Sequence, residues 1–309
     1  MSVAPETDHS GDPAVRKPES TSEFRRIVST YCESPLAVAA LASTLLLIAI
    51  AIFAPLISPQ NPYDLGTIDI LDSLLEPGAK AYTGGTYWLG TDDQGRDMLS
   101  AIFYGLRLSI FVGIGSALIA VAFGTSIGLC SAFFGGRVDT IIMRAVDVQL
   151  SFPAVLIALI LLASLGKGVD KVVMALVIVQ WAYYARTVRG TALAELGREY
   201  MEAGRSLALS NVRLIFRHLL PNCLPPLIVI ATVQVASAIA LEAALSFLGL
   251  GLPVTEPSLG LLISNGYDYL LGGKYWISGI PGIALLITII SINLVGDRLR
   301  DVLNPRLER

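Results

Sequence analysis

The chain has 309 residues, 54% of them hydrophobic and 15% charged, with a mean hydropathy of +0.66 and a formal net charge of -3. These values exclude a pair of ordinary water-soluble domains and suit a polytopic membrane protein, whose apolar side chains face lipid or neighbouring helices. Three scattered cysteines (Cys32, Cys130, Cys223) and two distant histidines (His9, His218) exclude a disulfide framework and a histidine-built metal site.

Residues 1–35 are polar and read as a disordered tail. Residues 36–57 form the first apolar run, long enough to cross a hydrocarbon core and too long for a signal-peptide core. Residues 58–97 are a loop rich in Pro, Gly, Asp and Thr. In it, Asp92, Asp93, Arg96 and Asp97 read as a turn and a helix N-cap, since their spacing is not that of a calcium loop. A second span covers about 108–134, where Gly113, Gly115, Gly124 and Gly128 predict close helix approach.

Residues 135–153 are an amphipathic lead-in, kinked at Pro153, to a third span of about 154–165. Asp147 and Gln149 sit where that segment meets the apolar layer, and are candidate pathway residues or interfacial ion-pair partners. A fourth span covers about 172–184, a fifth about 223–248 and a sixth about 277–295. The fifth carries Gln234 and Glu242, and a mid-membrane acid must face protein or water. Glu242 either lines a pathway or pairs with Arg107. Residues 249–276 are expected to be a loop, re-entrant in part, with Tyr275 and Trp276 as interface anchors.

Between the fourth and fifth spans lies a charged elbow, residues 195–222. Leu196, Tyr200, Ala203 and Leu207 recur at helical spacing, with Arg198, Glu202 and Arg205 on the other side. Ser210 or Asn211 caps a second helix, with Val212, Ile215, Phe216 and Leu219 on one face and Pro221 as its end. Six spans put both termini on one side. The tail, the 135–151 segment, the elbow with Arg186 and Arg189 leading into it, and the C-terminal segment hold 16 of the 22 Lys and Arg residues, so that side is predicted to be cytoplasmic. There is no GxxxxGK[ST] phosphate loop and no catalytic constellation. A chain with a docking elbow and no chemistry of its own needs an energy source in a partner.

The elbow resembles the EAA loop of importer-type ABC transporter permeases. That pattern reads Glu-Ala-Ala, three residues, Gly, nine residues, Ile, one residue, Leu-Pro. Glu202, Ala203, Leu220 and Pro221 match it, while Gly204 stands for the second Ala, Ala208 for the Gly and His218 for the Ile. The flanking Arg198, Glu199 and Tyr200, the stretch LGTDDQGRDMLS at 89–100, GGRVDTIIMRAVDVQLSFP at 135–153 and EAALSFLGLG at 242–251 are similar to the dipeptide/oligopeptide/nickel branch, and in particular to its second ("C"-type) permease. The resemblance covers nearly the whole chain from Leu36 onward.

The resemblance implies an all-α, six-span permease of the type I importer fold in the bacterial inner membrane. Both termini would be cytoplasmic, with a permease core at 98–296 and a short tail at 297–309. It implies a homologous second permease as heterodimer partner, two cytoplasmic ATPases carrying ATP-Mg, a periplasmic or lipoprotein solute-binding protein, surrounding membrane lipid and no nucleic acid. No cofactor is bound by the chain itself. Di- or oligopeptides are the implied substrates. Arg198, Glu199, Tyr200, Glu202, Ala203, Gly204, Arg205, Ala208, Leu220 and Pro221 would carry coupling to the ATPases. Without the resemblance, Glu202 reads as a surface acid paired with Arg205. Position 208 needs either positive φ, which strains alanine, or only a small side chain; the second is expected. The rival readings are a stand-alone channel or ion-coupled carrier, and a membrane-embedded enzyme. The first would need several ionisable residues deep in the spans, where only Asp147 and Glu242 are near candidates.

Overall fold

The structure, a computed structural model, describes residues 23–303 except 65, 67, 83 and 254. Eleven α-helices follow one another among the described residues: α1 (Glu23–Cys32), α2 (Pro35–Ile57), α3 (Met98–Phe134), α4 (Gly136–Ser151), α5 (Ala154–Leu165), α6 (Val169–Leu196), α7 (Glu199–Ser206), α8 (Asn211–Arg213), α9 (Leu220–Phe247), α10 (Leu259–Tyr267) and α11 (Trp276–Leu303). A π-helical turn, Leu214–Leu219, joins α8 to α9 without a break.

Residues 23–35 are not the disordered tail expected of them; residues 1–22 lie outside the described residues. The chain forms α1, and Tyr31 is buried where its hydroxyl donates to the Ala37 carbonyl. Arg298 donates to the Thr30 carbonyl, which ties α1 to α11. Pro35 opens α2 where a missing N–H costs nothing, and the Ser34 hydroxyl accepts from the Ala37 N–H. The C-terminal boundary also moves. Residues 297–303 continue α11 rather than forming a tail, and 304–309 lie outside the described residues.

α3 starts ten residues before the predicted span, because Asp97 is a strong N-cap: its carboxylate accepts from the Ser100 N–H at 2.9 Å. The helix packs chiefly on α6 and α9. Gly124 and Gly128 set that approach: a Cβ added at Gly128 would stand 2.5 Å from the Ala185 carbonyl oxygen. Gly113 plays the same part against Ile239. Gly115 does not, since nothing lies within 4 Å of a Cβ there. α2 and α11 flank this centre around Ala51, Met98, Ile102, Leu106, Ile239 and Trp276. α5 closes it from the other side around Ala158, Leu162, Leu176 and Leu245.

Among the described residues, four helices are long and apolar enough to cross a membrane: α2, α3, the continuous Asn211–Phe247 helix and α11. The pair α4 and α5, bent by 91° at Phe152 and Pro153, makes a fifth if it counts as one span. α6 is not among them; its apolar stretch is short between Lys171 and Arg186.

The 58–97 loop is folded. Its β1 (Ala79–Lys80) pairs antiparallel with β2 (Thr86–Tyr87). Asp72 accepts from the Tyr82 N–H and the Tyr87 hydroxyl, each at 3.0 Å, and Asp97 N–H donates to Gln60 Oε1. Asp92 and Arg96 form a buried pair at 2.6 Å, and Asp92 also accepts from the Gln94 and Arg96 N–H groups. The turn and the cap expected there are therefore both present. Trp276 is not an interface anchor. It is buried, and its Nε1 donates to the Thr91 carbonyl, pinning the loop to the start of α11; Tyr275 beside it is exposed. Residues 249–276 hold α10, which packs on α9 and α11.

Candidate functional site

The elbow leaves the core where α6 ends at Leu196. Gly197 and the extended Arg198 break the helix before α7. That break shifts the expected face. Met201 and Gly204 point inward and are buried, whereas Ala203 and Leu207 are exposed, Leu207 by 74%. Glu202 and Arg205 are both exposed and do not pair with each other; Arg198 pairs with Glu195 at 3.7 Å.

α7 ends in a Schellman turn. Leu209 N–H reaches the Gly204 carbonyl at 3.1 Å and Ala208 N–H the Arg205 carbonyl at 2.9 Å. Ala208 holds the left-handed position with φ of +52°. Smallness alone is therefore not what position 208 requires, which corrects the expectation. Gly204 is packed rather than flexible, since an added Cβ would stand 2.7 Å from Leu214 Cδ2.

Ser210 caps the next helix by accepting from the Arg213 N–H. The π turn then changes the period, so that Leu214 and Leu219, five apart, are buried with Cys223. Val212 and Phe216, placed on the buried face by a 3.6-residue period, are instead 67% and 62% exposed. Pro221 does not end this helix but sits in the first turn of α9. The wider π turn, with Leu220 N–H bonded to the Ile215 carbonyl, takes up the proline without a break. The elbow is fastened to its neighbours by Tyr200. Its hydroxyl donates to Glu195 Oε2 at 2.8 Å and accepts from Asn222 Nδ2 at 3.2 Å. Burial, and then the Glu195 bond, push its pKa up to about 12.

The polar residues of the spans separate into three places. Asp147 is half exposed and paired with Arg186, and Gln149 Nε2 donates to the Ile178 carbonyl at 3.0 Å. Both tie α4 to α6, as does Asp139, which receives Arg189 at 2.5 and 2.6 Å. Glu242 is fully buried and accepts from Ser109 and Ser246, each at 2.8 Å. It does not pair with Arg107, which is exposed. Gln234 lines a cavity of about 560 Å³ between α5, α6 and α9, together with Gln180, Tyr183 and Ser237. Sequence reasoning passed over Gln180, a lone amide inside an otherwise apolar stretch of α6.

A helical membrane core, a packed elbow with an exposed outer face, and a polar-lined cavity between α5, α6 and α9 are the features of a multi-pass permease. Residues 120–309 match the family described as binding-protein-dependent transport system inner membrane component, and residues 22–77 match the N-terminal TM domain of oligopeptide transport permease C. The chain belongs to the first of these families: it is a non-catalytic permease subunit of an ABC importer, multi-pass in the inner membrane.

Among its relatives, the di/tripeptide transport system permease protein DppC of Pseudomonas aeruginosa is 36% identical over 96% of each chain. The oligopeptide transport system permease protein OppC of Bacillus subtilis is 35% identical over 99% of this chain and 97% of its own. A chain of the MetNI methionine ABC transporter, solved in inward-facing conformations, shares the fold with a TM-score of 0.55 at 19% identity, covering 67% of this chain and 98% of that one.

Proposed function

We propose that the chain is the second permease of an ATP-driven importer of di- or oligopeptides. The observation that carries this reading is the elbow. Its inner side is fixed by Met201, Leu214 and Leu219, while Glu202, Arg205, Leu207, Val212 and Phe216 stand exposed on the outside. Exposed apolar side chains rimmed by charge are what a partner's groove would cover. The names of the relatives support the peptide class.

In this reading six segments cross the membrane, with α4 and α5 counted as one and α6 as another. The bias of Arg and Lys supports cytoplasmic termini. Two ATPases, which hold the ATP-Mg, each grip one elbow, and a homologous permease completes the pathway. A solute-binding protein delivers the peptide from outside. Arg198, Glu199, Tyr200, Glu202, Ala203, Gly204, Arg205, Ala208, Leu220 and Pro221 make up the coupling element. Gln234 belongs to the pathway. Asp147, Gln149 and Glu242 hold helices together.

The test is affinity purification from the native membrane in mild detergent. Recovery of two ATPases and a second permease, lost on Glu202→Arg, is the expected result. Recovery of the chain alone, moving solute in liposomes without ATP, would overturn the reading in favour of a carrier.

A further inference from the structure

A groove of about 640 Å³ runs between α2 and α3, and it shares no wall residue with the cavity at Gln234. Arg107, Phe111, Gly115 and Leu118 line it from α3, three or four residues apart, and so form one stripe along that helix. Ile52 faces them from α2. Phe111, Leu118 and Ile52 are 66%, 63% and 63% exposed. Gly115 leaves the floor open, since a Cβ added there meets nothing within 4 Å.

Among the described residues, Arg107 is the one charged residue in this wall, and it is exposed without an ion pair or a hydrogen bond. Residues 108–134 carry no charge, so Arg107 stands where α3 enters the apolar layer. Tyr63 and Tyr104, with ring centroids 5.3 Å apart, wall the same end. Tyrosines at that depth suit a membrane interface. Burial pushes the Tyr63 pKa up, Glu256 adds to that and Arg107 opposes it. Glu256 does not line the groove.

The dimensions name an occupant. From Arg107 to Leu118 α3 rises about 16 Å, close to half of a hydrocarbon core about 30 Å thick. The groove thus has the length of one leaflet, with its cation at the headgroup end. A protein covering it would have to bring an acid to the edge of the apolar layer, at a cost in desolvation. A zwitterionic lipid neutralises its phosphate with its own ammonium. A lipid with a net negative headgroup offers an uncompensated phosphate at the depth of the guanidinium.

We propose that this groove holds an acyl chain of an anionic phospholipid from the surrounding bilayer, with the headgroup phosphate on Arg107.

The test uses the complete importer, with its partner subunits and binding protein, in phosphatidylcholine vesicles. These contain a trace of phosphatidylglycerol or of phosphatidylcholine, each with a photoreactive diazirine on one acyl chain. After irradiation, the labelled peptides are mapped by mass spectrometry. The expected result is that the phosphatidylglycerol probe labels residues 111–118 about fivefold more than the phosphatidylcholine probe. Arg107→Gln brings the two probes to parity, and Arg107→Lys keeps the preference. Gly115→Leu fills the groove and removes both labels there, while labelling of other helices persists. Equal labelling by the two probes in the wild type overturns the proposal without any variant having to assemble. So does a preference that survives Arg107→Gln. A wild-type segment without label also overturns it, and is the result if the second permease covers the groove.

Discussion

Gly204 lies directly against Leu214: a Cβ added at residue 204 would stand 2.7 Å from Leu214 Cδ2. The importer pattern has alanine at 204 and glycine at 208, and this chain has the reverse. The two departures sit in one turn and act in different ways. Gly204 admits Leu214 to the core of the elbow, and Ala208 takes a left-handed conformation that its Cβ disfavours. Ala208→Gly is therefore expected to stabilise the elbow by about 1 kcal/mol. Gly204→Ala is expected to destabilise it by roughly 1–3 kcal/mol through overpacking, with relief on adding Leu214→Val. Protease protection of the elbow in the purified permease, followed against denaturant, reads both.

Tyr200 joins the end of α6 to the start of α9 through Glu195 and Asn222. Tyr200→Phe removes both bonds and is expected to cost about 1 kcal/mol. The function that suffers should be coupling: ATP hydrolysis persists while import per ATP falls. The pH dependence follows from the raised pKa. The folded value of about 12 lies above the ordinary value of 10.0, so the bond's contribution is complete below pH 10 and is lost as pH rises to about 12. The phenolate absorbance lost on Tyr200→Phe should titrate near pH 12, and a titration near 10 would contradict the geometry.

The Asp92–Arg96 pair is buried on both sides. Asp92→Ala strands the guanidinium, whose Nη2 already has no partner, and should cost about 3–5 kcal/mol. Arg96→Met should cost less, because Asp92 keeps the N–H groups of Gln94 and Arg96. Thermal unfolding of the assembled importer gives the order, and the reverse order would contradict the assignment.

Two glycines of α3 that look alike in sequence should behave oppositely. Gly128→Val pushes against the Ala185 backbone, which cannot step aside, and should remove folded protein from the membrane. Gly115→Ala meets nothing within 4 Å and should change stability by no more than about 0.5 kcal/mol. Membrane abundance of the tagged variants distinguishes them.

Most of the apolar spans were legible, because a run such as Leu36 to Ile57 has only one reading in a bilayer. The elbow was legible as a charged interruption, and its motif residues by resemblance. Its faces were not. Gly197 restarts the helical count before α7, and the π turn adds a residue per turn before Leu219, so Leu207, Val212 and Phe216 face outward. A 3.6-residue template cannot register either event. Glu242 stood out as a mid-membrane acid that lines a pathway or pairs with Arg107, but its partners, Ser109 and Ser246, are small hydroxyls that no charge pattern reveals. Trp276 looked like an interfacial aromatic because the Thr91 carbonyl it binds lies 185 residues away. Gln180 carried a signal in sequence, as a single amide in mid-span, and Gln234 carried the same one.

α3 runs unbroken for 37 residues. At about 1.5 Å per residue that is a rod of roughly 55 Å, against a hydrocarbon layer of about 30 Å. Its first turn is clamped to the 58–97 loop through Asp97, Ser100 and Gln60, and Ser131 near its last turn holds Asp139, the acid that grips Arg189 just ahead of the elbow. A tilt of about 5° would swing the far end of such a rod by roughly 5 Å, close to one helical turn. The loop at one end of α3 and the approach to the elbow at the other are therefore joined by a single stiff lever, and a push on that loop would reach the elbow without any hinge in between.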